Sequence, residues 1–124
     1  MKSIVYFILL FVPIAVLAQS EPTKKDRASI EVLGNCEMCK MRIEKAAFSV
    51  KGVKYASWDI PSGQLSLIYN GLKTNTNVIA KQIAAAGHDT AQHQSNEEVY
   101  NELPACCQYV RKGEEPKAGQ MMKH

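Results

Sequence analysis

Two thiols three residues apart dominate the chemistry this chain can do: Cys36 and Cys39, in Gly34-Asn35-Cys36-Glu37-Met38-Cys39-Lys40. Ile30 and Val32 alternate with polar residues before the motif, and Ile43, Ala46, Ala47 and Val50 follow it at helical spacing. Cys36 is therefore expected in a strand-to-helix loop and Cys39 in the first helical turn. Both sulfurs can then face one soft metal ion. Unsatisfied N–H groups and the positive end of the helix dipole favour thiolate there, the form that binds metal or attacks a disulfide.

Two other uses of the same pair compete. Cysteines of exported proteins usually join in disulfides, but a Cys-x-x-Cys bridge closes too short a loop to stabilise a fold much. A thioredoxin-like oxidoreductase also carries Cys-x-x-Cys at a helix start. Here no aromatic residue directly precedes Cys36, and only Pro61 lies mid-domain, in an expected hairpin turn. Cys106 and Cys107 are adjacent, so their side chains tend to diverge and a mutual disulfide would be strained. Accessory metal ligation, a bridge to Cys36 or Cys39, and burial as thiols all remain open to them. The segment that carries them is short enough to lie back on the core through Leu103, Tyr109 and Val110, which would bring its thiols to the first pair. Met121, Met122 and His124 are donors suited to copper, on a tail that loses entropy for each ligand it fixes.

The elements that must position these thiols occupy the middle of the chain. Residues 1–18 read as an export signal, with Lys2, an apolar run from Ile4 to Val12 and a cleavage site at Val16-Leu17-Ala18. Interrupted by Pro13, the run falls short of the roughly 20 apolar residues of a bilayer span. The mature protein is thus expected to begin at Gln19, to be periplasmic or secreted, and not to span a membrane. Cleaving eighteen residues from 124 leaves 106, the size of one domain. Losing Lys2 leaves 14 basic against 12 acidic residues. That near balance, without a Lys/Arg stripe or an aromatic ladder among basic residues, argues against nucleic acid as a partner.

Residues 19–27 read as a polar leader and 28–95 as the domain. Its expected elements are a strand over Ala28 to Leu33, a helix over Glu37 to Val50, and a strand over Val53 to Asp59 with Ala56 and Trp58 inward. A turn at Ile60-Pro61-Ser62-Gly63 leads to a third strand carrying Leu65, Leu67 and Tyr69. Thr74 or Thr76 would cap a second helix with Val78, Ile79 and Ile83, and Gly87 would follow its end. His88 to Gln94 would make a weak fourth strand. The order β-α-β-β-α-β defines an α+β, ferredoxin-like sandwich, with two helices on one face of a four-stranded antiparallel sheet. Residues 96–110 form a short C-terminal extension, helical for one or two turns over Glu97 to Leu103, and 111–124 a disordered tail.

These residues resemble the heavy-metal-associated domain family, the fold of small copper chaperones, of metal-ATPase N-terminal domains and of the periplasmic mercuric-ion carrier. The resemblance rests on Gly34-x-Cys36-x-x-Cys39, Arg42-Ile43-Glu44-x-Ala46, Gly52-Val53 and Ala86-Gly87-His88. It implies that Cys36 and Cys39 bind one soft ion, most often Cu(I), on a solvent-facing loop. Gly34-Asn35 replaces the family's Met-Thr and so removes a methionine that packs beneath the loop, a place Met38 would partly fill. His88 stands where some variants bring an imidazole to the metal.

The sequence therefore reads as an exported carrier of Cu(I), with Cys36 and Cys39 as ligands and His88, Cys106 and Cys107 as candidate accessory ones. Its expected partner is a metal-transporting membrane protein or another metal carrier. Zn(II), which prefers four ligands, suits an open two-cysteine site less well, and Hg(II) uses the same ligands. No catalysis is implied. The alternatives are an exported thiol-disulfide oxidoreductase, a mercuric-ion carrier, or an interaction module in which both cysteines are dispensable.

Overall fold

The computed structural model describes residues 23–113. The export signal and the Met121, Met122 and His124 donors lie outside the described residues. Three strands, β1 (Lys25–Glu31), β2 (Val53–Trp58) and β3 (Gln64–Asn70), form an antiparallel sheet in the order β1-β3-β2. Leu65, Leu67 and Tyr69 alternate inward along central β3, opposite Ile30 and Ala28 of β1 and Trp58 and Ala56 of β2. Helices α1 (Glu37–Phe48) and α2 (Thr76–Ala85) cover that face with Ile43, Ala46, Ala47, Ile79, Ala80 and Ile83. This is the α+β, ferredoxin-like arrangement expected from the periodicity. Each buried Leu or Ile contributes about 1.5–3 kcal/mol, enough in sum to hold the fold by apolar burial.

The boundaries differ where long-range pairing overrides local pattern. Strand β1 starts at Lys25 rather than Ala28, because Lys25 and Arg27 find backbone partners opposite Asn70 and Ile68. Helix α1 stops at Phe48, two residues short of Val50. The cap of α2 is Asn75, whose side chain accepts from the Val78 N–H, not Thr74 or Thr76. Gly87, with φ +109°, follows that helix as expected.

The fourth strand shrinks to one bridge, Val32 with Thr90. The Thr90 hydroxyl accepts from the Gln92 and His93 N–H groups and turns the chain away before a ladder can extend. The extension folds back as α3 (Glu97–Glu102) and a 3₁₀ turn over Ala105–Cys107. Order continues past the expected start of the tail at residue 111, since Arg111 is fastened to Asp89. Among the described residues no helix is long and apolar enough to cross a membrane.

Candidate metal centre

The Cys36 loop is narrow because of Gly34. A Cβ there would lie 2.9 Å from Trp58 Cη2 and 3.1 Å from Cys39 Cβ, so only glycine lets the backbone rest on both. Trp58 is buried and its indole N–H donates to the Val32 carbonyl. The tryptophan ring thus fills the space beneath the loop that was assigned to Met38. Met38 is 50% exposed and turns its sulfur outward to Cys106, 3.5 Å away.

Cys36 is the N-cap of α1 in extended conformation, and its side chain makes no capping bond. Its sulfur is 3.6 Å from that of Cys39. The approach expected from the motif is therefore present, and the loop from Leu33 to Cys36 is half-exposed, but Cys39 in the first helical turn is fully buried. The extension lies against Cys36. Cys36 Sγ donates to the Cys106 carbonyl at 3.4 Å, and the sulfurs of Cys36, Cys106 and Cys107 lie within 4.8 Å of one another.

Cys107 is also fully buried. The adjacent pair does not diverge, since the 3₁₀ turn holds its sulfurs 3.9 Å apart and aims both at the first pair. Burial, then the Cys39 sulfur and the other thiols, push the Cys107 thiol far above the usual range. The Cys107 thiol is therefore protonated in the absence of a cation, and a bound metal would reverse that preference. No disulfide links any of the four cysteines.

His88 lies outside this sulfur group. Its Nδ1 donates to the Leu33 carbonyl at 2.8 Å, its ring stacks on Tyr109, and its buried Nε2 has no hydrogen-bond partner. Burial holds it below the ordinary histidine value, helped by the Arg42 charge and opposed by the Leu33 carbonyl and by Asp89. It is neutral and supports the extension.

The extension lies back on the core through Leu103 and Tyr109, as expected, whereas Val110 is exposed and the polar fastening escaped sequence reasoning. The Tyr109 hydroxyl donates to the Gly87 carbonyl at 2.8 Å and accepts from the Asp89 N–H at 2.7 Å. The Tyr100 hydroxyl donates to the Tyr109 carbonyl. Arg111 grips both oxygens of the buried Asp89 carboxylate at 2.8 Å and donates to the Ser95 carbonyl. Leu103 packs on Gly87, where an added Cβ would come within 2.8 Å of it. Tyr109 carried a weak signal, an apolar residue in a polar segment; Asp89 and Arg111 carried none.

No family profile matches the chain. A zinc-transporting ATPase from Synechocystis sp. (strain ATCC 27184 / PCC 6803 / Kazusa) is 30% identical over 80 residues, 64% of this chain and 11% of the ATPase. The chain therefore spans only a small part of that relative. The CopZ metallochaperone superposes with TM-score 0.52 at 27% identity, covering 53% of this chain and all of that one. Oxidised MerP from Ralstonia metallidurans CH34 gives 0.53 at 23% identity, over 55% and 96%. A copper-binding domain from HMA7, a P-type ATPase, gives 0.50 at 23%, over 52% and 88%. The chain has the fold of the heavy-metal-associated domains, as the resemblance implied, and carries a cysteine cluster where α1 begins.

Proposed function

We propose that this protein binds a soft metal ion, Cu(I) foremost, through Cys36 and Cys39 and passes it to a metal-transporting membrane protein or another carrier outside the cytoplasm, without catalysing a reaction. The observation that carries this reading is the 3.6 Å approach of the two sulfurs at the start of α1. Two thiolates converging there satisfy a Cu(I) ion of low coordination number. The half-exposed Cys36 is the sulfur an acceptor's thiolate would reach first. Beside it, Met38, Met41 and Phe48 are exposed along α1 and, with Arg42 and Lys45, line an open groove against which a partner domain can rest. The 30% identity to part of a zinc-transporting ATPase and the 27% identity to CopZ favour a carrier over an oxidoreductase.

The test is titration of the reduced protein with Cu(I), Zn(II) and Hg(II) against competing chelators. One tightly held Cu(I) per chain is expected, lost in Cys36→Ser and in Cys39→Ser. Wild-type Cu(I) affinity in either variant would refute the assignment, and turnover of a disulfide substrate without metal would favour the oxidoreductase.

A further inference from the structure

Taking the soft-ion reading of Cys36 and Cys39 as its base, we infer that Cys106 and Cys107 complete a four-thiolate site, giving the protein a second cargo class: divalent d10 ions of tetrahedral preference such as Zn(II) and Cd(II). The argument begins with spacing. Zinc–thiolate bonds of about 2.3 Å place the sulfurs of a tetrahedral site about 3.8 Å apart. Here Cys36 and Cys39 stand at 3.6 Å and Cys106 and Cys107 at 3.9 Å. Cys36 lies within 4.8 Å of both members of the second pair, and Cys39 joins the group through its approach to Cys36. Side-chain rotations that close the inter-pair separations, within 4.8 Å for Cys36, Cys106 and Cys107, and draw Cys39 in would convert this cluster into a coordination shell.

Rigidity is the second part. The second pair sits on a segment held by the Tyr109, Tyr100 and Arg111 contacts, so ordering the strap costs little when the ion arrives. Binding releases one proton from each thiol to solvent and leaves a centre of formal charge −2 around a divalent ion. The amide groups opening α1 lie next to Cys36 and favour that charge. The cluster is also asymmetric. Cys39 and Cys107 are buried while Cys36 and Cys106 are half-exposed, so two sulfurs retain the ion and two can be displaced by an acceptor.

The experiment loads the reduced full chain with Cd(II) and counts thiolates from the sulfur-to-metal charge-transfer band and the cadmium-113 chemical shift. Wild type should show four thiolates per ion in a monomer, Cys106→Ser three, and Cys106→Ser/Cys107→Ser two. Cd(II) affinity should fall at least about tenfold at each step, given that losing even an outer-shell partner costs about 10–100-fold. Circular dichroism and a melt check the fold, and the half-exposed Cys106→Ser stands alone should the buried Cys107→Ser destabilise the double variant. A two-thiolate signal in wild type overturns the inference and leaves the Cu(I) reading intact. So does a four-thiolate signal that survives in the double variant, since it would come from two chains sharing one ion. Unchanged Cu(I) and Cd(II) binding in Cys36→Ser would instead overturn the underlying reading.

Discussion

The two cysteine pairs reach the same cluster by different physics. Cys36 and Cys39 are placed by local geometry: an N-cap and the first turn of a helix bring side chains three apart to one side. Cys106 and Cys107 have no such local reason to converge. Their position depends on contacts made elsewhere, between Tyr109 and residues 87–89 and between Arg111 and Asp89. Each pair presents one buried and one half-exposed sulfur. The lesson is that a motif sets which atoms stand together locally, while a distant fastening sets which further sulfurs stand beside them.

If that contrast is right, breaking the fastening should affect the second pair and spare the first. Arg111→Met leaves the buried Asp89 carboxylate without its guanidinium and should cost about 3–5 kcal/mol, read by urea unfolding. Cu(I) binding at Cys36 and Cys39 should persist in this variant; its loss would show that the first pair also depends on the strap. Cys39→Ser reverses the pattern. Soft-ion affinity should drop more than about a hundredfold, beyond the 10–100-fold typical of outer-shell losses, with the cooperative melt of the metal-free protein retained. Metal-dependent folding would contradict the apolar core as the source of stability.

Tyr109→Phe sharpens the contrast further. It removes one hydroxyl and leaves the buried Gly87 carbonyl and Asp89 N–H without it, a cost of about 1–3 kcal/mol by denaturant titration. The thiolate count with Cd(II) should become heterogeneous, because the second pair loses its anchor before it loses its fold. An unchanged count would assign the anchoring to Arg111 and Tyr100.

The smallest effect is a pH dependence beneath the strap. Burial depresses the His88 value below 6.5, so between the folded and unfolded values the unfolded chain binds more protons. Stability is then full above about pH 6.5 and falls as pH drops below it. His88→Phe should lose about 1 kcal/mol at neutral pH with the Leu33 hydrogen bond, and flatten that slope. An unaltered slope would place the titrating group elsewhere.

Much of the scaffold was legible in the chain. The alternation of Leu65, Leu67 and Tyr69, the helical spacing of Ile43, Ala46 and Ala47, and Gly87 after α2 each report a neighbour within a few residues. Some of the misplaced features involve distant partners and others a local hydrogen bond. Strand β1 begins early because β3 offers backbone groups to Lys25, and the fourth strand fades because the Thr90 hydroxyl satisfies the chain locally. Met38 was assigned beneath the loop, but Trp58 from another strand already fills that space.

By itself the sequence determined the elements and the first thiol pair, since backbone periodicity and helix geometry act over three or four residues and need no partner from afar. That the extension could bring its thiols to the first pair was legible too; tertiary structure alone decided how it is fastened and that Cys39 and Cys107 are buried. That outcome turns on where the returning chain docks, through contacts between residues 20 or more apart whose energies local spacing does not encode.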